Sequence, residues 1–198
     1  MQVLRRADHV QMRWKNGAGT SLEIASGGVP GEPFDWRLSL ARIEQPGRFS
    51  NYDGYDRVTA LVEGAGFTLQ CAGATELEFM QVGQCHAYPG AVQYGCVLHA
   101  GACTDLNLIA RRGLGASMTV VPVDAAGRGL ESVSATRYVL PLAGRATVNT
   151  PQESARLEAW DAAVLAVGQR AWLAADEAAG STLVALVAIP PWPTGERP

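Results

Sequence analysis

From Phe34 to Leu40 every second residue is apolar, a period of two that only an extended strand turns into one buried face. Phe34, Trp36, Leu38 and Leu40 share one side of that strand, and Arg37 with Ser39 share the other, which must meet water or a ligand. Shorter pieces of the same kind follow at residues 58–63, 67–70, 84–88, 92–99, 105–110 and 117–123. Glycine, proline and small polar residues separate them, and helical periodicity is scarce. Gly64-Ala65-Gly66 reads as the turn of a hairpin joining 58–63 to 67–70. Strands this short and this regularly spaced predict an all-β sandwich or barrel.

Past Asp124-Ala125-Ala126-Gly127-Arg128-Gly129, strand signals resume at 137–142, 146–149, 157–165, 170–174 and 182–189. Leu61-Val62-Glu63-Gly64 and Leu140-Pro141-Leu142-Ala143-Gly144 place a strand before a glycine turn in each half, a weak internal repeat. The expected organisation is therefore a barrel at 1–123 with a ligand pocket, a connector at 124–134, and a smaller half at 135–198. The closing strands of that half either complete it or are shared with the first. Pro190-Pro191-Trp192-Pro193 ends regular structure, because proline cannot donate to a ladder.

With 198 residues, 47% of them hydrophobic and 18% charged, the chain can bury a substantial core. Its formal net charge of -3 and the lack of a long Lys/Arg run speak against nucleic acid as a partner. Arg5-Arg6 is not followed by the apolar core of a secretory signal, and 181–189 is too short to cross a bilayer as a helix, so no membrane association is expected and the expected location is the cytoplasm. Cys71, Cys85, Cys96 and Cys103 form no Cys-x-x-Cys pair and read as small buried hydrophobes.

His9, His86 and His99 contain no His-x-His pair and no Glu at metal-motif spacing, although His86 and His99 can still meet across neighbouring strands. No metal and no other cofactor is expected. The chain has no Gly-x-Ser-x-Gly elbow, and Gly17-Ala18-Gly19 lacks the spacing and the Lys-Ser/Thr ending of a phosphate loop, so no catalytic residue is assigned.

The remaining polar groups suit a small anion. Arg37 and Arg57 can each grip a carboxylate through parallel N–H donors, while Asn16, Thr20 and Ser39 can complete an oriented shell. Asp105 and Asn107 share one face of a strand whose Leu106 and Leu108 point the other way. Trp14, Phe34, Trp36 and Phe49 are either pocket walls or core. The competing structural account pairs Arg57 with Asp56 or Asp53 and Arg37 with Glu23, and makes Arg111-Arg112 a solvated strand end or an interface element.

The blocks Trp14-Lys15-Asn16-Gly17-Ala18-Gly19-Thr20, Phe34-Asp35-Trp36-Arg37-Leu38-Ser39-Leu40-Ala41, Gly54-Tyr55-Asp56-Arg57 and Asp105-Leu106-Asn107-Leu108-Ile109-Ala110-Arg111-Arg112 resemble the HutD/Ves family. The resemblance implies a bicupin of two fused antiparallel barrels, of the RmlC-like jelly-roll type. It also implies a metal-free protein that binds a small carboxylate and moderates histidine utilisation, with N-formyl-glutamate or urocanate as ligand. Two carboxylates would call on Arg37 and on Arg57 or Lys15. Where the family commonly carries Phe-x-Gly-Asp, this chain has Tyr88-Pro89-Gly90-Ala91, so either a pocket carboxylate or a turn cap is missing; Asp161 keeps the acid in the comparable turn of the second half. The alternatives are a cupin enzyme, isomerase-like or metal-dependent, and an interaction protein with a vestigial pocket. A homodimer through an open sheet edge or an exposed apolar face is expected.

Overall fold

Strands account for nearly all regular structure in the computed structural model, which describes residues 1–14, 19–73, 75–176 and 180–192. β1 (Gln2–Leu4) is followed by a single 3-10 turn at Arg6–Asp8. β2 (Val10–Arg13), β3 (Gly19–Gly27), β4 (Trp36–Ile43), β5 (Gly47–Arg48), β6 (Tyr55–Glu63), β7 (Phe67–Gln70), β8 (Leu77–Phe79), β9 (Cys85–Pro89), β10 (Gly95–Leu98) and β11 (Cys103–Arg111) lie in a first unit, His9–Gly113. β12 (Ser117–Asp124), β13 (Arg128–Glu131), β14 (Thr136–Pro141), β15 (Arg145–Asn149), β16 (Ser154–Glu158), β17 (Ala162–Leu165), β18 (Arg170–Ala175) and β19 (Ser181–Ile189) form the second, together with β1. Among the described residues there is no α-helix, and no helix long and apolar enough to cross a membrane.

Each unit is two antiparallel sheets. The first has the orders β2-β3-β4-β11-β6-β9 and β5-β10-β7-β8; the second has β1-β17-β14-β19-β12 and β13-β18-β15-β16. Adding eight to each strand number of the smaller first-unit sheet reproduces its counterpart, and the same shift turns β4-β11-β6-β9 into β12-β19-β14-β17. The two halves are one cupin topology used twice, so the weak repeat in the sequence is a full repeat of pairing.

Two sequence expectations change here. Gly64-Ala65-Gly66 is not a hairpin turn: β6 is flanked by β11 and β9, and β7 by β10 and β8, so the segment carries the chain from one sheet to the other. Both edges of β6 are taken, and the positive φ of Gly64 (106°) and Gly66 (104°) bends the chain away. Gly144 (φ 64°) stands between β14 and β15 at the same switch. The domain limits also differ from 1–123, 124–134 and 135–198. β12 pairs with β19 along its whole length, β13 lies within the expected connector yet pairs with β18, and β1 pairs with β17, so the division falls at Asp8/His9 and Gly113/Leu114. Long-range pairing outweighs the glycine-rich composition that marks 124–129 as a linker.

The cores follow from alternation. In the first unit Phe67 and Phe79 stack at 4.4 Å among Ile43, Leu61, Leu69 and Tyr94. The second unit packs Val139, Val148, Leu157, Leu165, Leu173 and Leu186 together. Strand 157–165 is interrupted: Trp160 takes φ 73°, and the chain turns there between β16 and β17.

Candidate ligand site in the first barrel

β4, β11 and β6 are neighbours, and their register sets residues far apart in sequence into rows. Arg37, Ile109 and Arg57 form one row, Ser39, Asn107 and Thr59 the next, and Ala41, Asp105 and Leu61 the third. All nine side chains take the same face by strand alternation. The opposite face carries Leu38, Leu40, Leu106 and Leu108, all buried. Seven of the nine, all but Thr59 and Leu61, line a cavity of about 500 Å³, within the roughly 300–1,000 Å³ of metabolite sites. Its polar lining is Ser21, Arg37, Ser39, Arg57, Asp105 and Asn107, with Tyr52 and Ser50 from the segment after β5; Met12, Trp14, Ala41, Phe49 and Ile109 supply the apolar wall.

The two guanidinium groups are committed differently. Arg57 donates through Nη1 to the Ser50 carbonyl (3.0 Å) and through Nη2 to Asn107 Oδ1 (2.7 Å), which ties a loop to the sheet. Arg37 donates to the Tyr52 hydroxyl (2.8 Å) and stacks 4.6 Å over the Phe34 ring. The Nε of each is buried without a hydrogen-bond partner among the described residues. Asn107 Oδ1 also accepts from Thr59 (2.8 Å), so its orientation is forced, and its Nδ2 donates to Asp105 Oδ1. Thr59 shares a 2.9 Å bond with the Tyr88 hydroxyl.

Asp105 is fully buried and its Oδ2 has no partner among the described residues. Burial pushes its carboxyl up to about 7, against the lowering pull of the Arg57 charge and the Asn107 hydrogen bond. Burial likewise raises Tyr88 and takes Cys96 to about 12 and Cys85 to about 11, which leaves those groups neutral at ordinary pH.

Of the residues singled out in the sequence, Arg37, Ser39, Arg57, Asp105 and Asn107 converge on the cavity. Thr20 does not: it pairs with Arg42, on the side of Leu22, while its neighbour Ser21 pairs with Ala41 and lines the site. The alternation Thr20, Leu22, Ile24 already puts Thr20 on the apolar side, a signal the sequence reading did not use. Asn16 and Lys15 lie outside the described residues. Ser21, Ser50, Tyr52 and Thr59 are the polar groups that the sequence did not single out. Trp14 and Phe49 are walls, with Trp14 Nε1 donating to Ser21 Oγ at 2.7 Å. Phe34 precedes β4 and sits with Arg37 rather than with Leu38, because the strand starts only at Trp36.

The expected ion pairs also rearrange. Asp56 meets Arg112 at 3.5 Å, Glu23 accepts from Ser26 at 2.8 Å, and Arg111 meets the buried Asp35 at 3.4 Å. His86 bonds the Glu78 carbonyl (2.9 Å) and His99 bonds Thr68 (2.8 Å). Among the described residues no three His, Cys, Asp or Glu side chains cluster as metal ligands. Ala91 is exposed and outside the cavity lining. Gly90 beside it cannot change: a Cβ would lie 2.7 Å from the Tyr52 carbonyl and 2.8 Å from that of Tyr55.

The second barrel supplies an internal control. Under the shift of eight strands, Thr59, Asn107 and Asp105 correspond by register to Val139, Leu186 and Val184. Those three belong to the apolar core of that unit. The scaffold therefore closes with Val and Leu at these points, and the buried polar triad of the first barrel is not a requirement of the fold.

Two antiparallel barrels of one repeated topology, the first holding a polar interior cavity, define a bicupin. The chain belongs to the HutD family, whose model matches residues 6–183. A 21.2 kDa protein in the hutC 3' region of Pseudomonas putida is 38% identical over 110 residues, 55% of this chain and 57% of that one, so the chain spans little more than half the length of that relative. A conserved protein of Pseudomonas aeruginosa PAO1 superposes with a TM-score of 0.85 at 29% identity, covering 96% of this chain and 98% of the other. HutD of Pseudomonas fluorescens SBW25, in a formate condition, gives 0.77 at 29%, covering 96% and 99%. Oxalate decarboxylase of Lactobacillus farciminis shares the fold alone, with a TM-score of 0.67 at 9% identity over 96% and 86% of the two chains.

Proposed function

We propose that this chain is a cytoplasmic binding protein that takes up a small carboxylated metabolite in its first barrel, without a metal, and so moderates histidine utilisation. The observation that carries the reading is the pair of guanidinium groups facing one cavity, each with a buried Nε left to donate; by the same register Arg57 has a counterpart in Arg137 of the second barrel, whereas Arg37 falls where that barrel has Ser117. Arg37 is the principal anchor, since its terminal nitrogens are less committed than those of Arg57. Ser39 and Ser21 add hydroxyls, and Asp105 adds a carboxyl with one free oxygen. N-formyl-glutamate and urocanate both combine carboxylate with an N–H group, and the hutC and HutD relatives support the metabolic setting.

A thermal-shift screen against histidine-pathway intermediates tests this. A ligand at a hundred times its Kd adds about 2.7 kcal/mol of stability, and no shift with any carboxylate would remove the reading. Asp105 is the observation that favours an enzyme instead, because a carboxyl poised near neutrality in a cavity suits proton transfer. Turnover of a bound ligand would decide for that second reading.

A further inference from the structure

Asp105 and Arg57 are joined through a single amide: Asn107 accepts from the guanidinium at Oδ1 and donates to the carboxyl at Nδ2. Asp105 Oδ2 is the one buried oxygen of this chain of contacts with nothing bonded to it among the described residues, and its residue lines the cavity. Two fixed cations and one carboxyl thus share about 500 Å³. We propose that binding of a carboxylate anion in this cavity is coupled to uptake of one proton from solvent by Asp105 Oδ2, which makes the first barrel a receptor whose hold on its ligand tightens as pH falls. The inference rests on the carboxylate-binding reading above and adds its regulation.

The physical basis is competition for the same cations. The charged groups facing Asp105 are Arg37 of β4 and Arg57 of β6; the titratable ones are Tyr88 of β9, Cys96 of β10, Tyr52 of the segment after β5 and Cys103 of its own strand. Arg57 is the group whose charge favours the ionised carboxyl, against burial, which favours the neutral one. An anion seated on the guanidinium groups cancels that field and adds a like charge, so the balance moves to burial and the carboxyl protonates. Its new O–H is then a donor aimed into the cavity. By linkage, a proton gained on binding means affinity gained as pH falls. The effect is felt above the free carboxyl's value of about 7, where a proton must be acquired, and fades below it, where the carboxyl already carries one.

The test is calorimetry of sodium formate binding to the full chain between pH 6 and 9, in buffers of differing ionisation enthalpy. Formate keeps its charge across this range, so any proton counted belongs to the protein. The expected result is uptake approaching one proton per formate above pH 7, with Kd rising toward about tenfold per pH unit. Asp105→Asn should bind formate with no uptake and a flat pH profile. Wild-type binding without uptake, or uptake that survives in Asp105→Asn, overturns the coupling and leaves the carboxylate site standing. No formate binding at any pH removes both. If Asp105→Asn does not fold, an infrared carboxylic-acid band appearing on formate addition to the wild type supports the coupling, and its absence overturns it.

Discussion

Arg37 and Arg57 differ in what removing them would break. Arg57 holds the Ser50 carbonyl and Asn107, whereas Arg37 reaches one hydroxyl and lies between aromatic rings. Arg37→Met keeps the length and the packing, so it should leave folding intact and weaken carboxylate binding by about 1.5–3 kcal/mol, the usual range of a charge-assisted contact. Calorimetry on the folded variant checks this, and unchanged affinity would take Arg37 out of the site. Asp105 makes a separate prediction for the ligand-free protein. Its folded value, about 7, lies above the unfolded one, so the folded state binds more protons between about pH 4 and 7 and its stability falls as pH rises through that window. Asp105→Asn should flatten that slope and be more stable than wild type at pH 8 by up to a few kcal/mol, read from urea unfolding at several pH values.

At the scale of elements, the site is a product of register. The β4–β11–β6 rows bring Arg37 and Arg57 to either side of Ile109, and a slip by one residue would turn both to the leucine face. The turn between β16 and β17 does comparable work for the second unit. Asp161 accepts from the backbone N–H of Arg6 (2.9 Å) and Glu158 (3.1 Å) and from the Arg5 guanidinium (2.7 Å), while the Arg6 guanidinium lies 4.1 Å over Trp160. Burial would raise this carboxyl, but those hydrogen bonds hold it below its ordinary value. Its stabilisation is therefore present above the ordinary carboxylate range and lost as pH falls through the lowered value. Asp161→Ala strips partners from two backbone donors and should cost about 2–4 kcal/mol in urea unfolding at neutral pH, with the difference from wild type shrinking in acid.

For the whole molecule, the repeated topology offers a direct test of what the polar interior is for. Thr59→Val, Asn107→Leu and Asp105→Val together copy the second barrel into the first. The triple variant should still fold, with a Tm lowered by the loss of the Asn107 partner of buried Arg57 and the Thr59 partner of Tyr88, and should lose carboxylate binding. A variant that fails to fold would show the triad to be structural. We also propose that the chain associates as a homodimer. β2 is the outer strand of its sheet among the described residues and exposes Val10 and Met12, an edge of the kind that pairs. Light scattering at micromolar concentration should give twice the monomer mass.

The sequence by itself determined the class of fold and the contents of its best strand, because a period of two is a local property. Arg37 and Ser39 opposite Leu38 and Leu40, and Asp105 and Asn107 opposite Leu106 and Leu108, are visible without knowing any partner strand. The glycine turns after β6 and after β14 were equally legible, but whether the chain there folds back as a hairpin or crosses to the other sheet depends on which edges are already occupied. Only the tertiary structure decided that, just as it decided that 117–123 and 1–8 belong with the C-terminal barrel. It alone brought Thr59 to Asn107 by strand pairing, and Tyr52 to Arg37 and Ser50 to Arg57 by folding the segment after β5 over the sheet, contacts between residues that no local pattern links. The same cause explains the arginines' partners: in sequence Asp56 adjoins Arg57, yet neighbours along a strand point to opposite faces, so the charge next door was the one it could not reach.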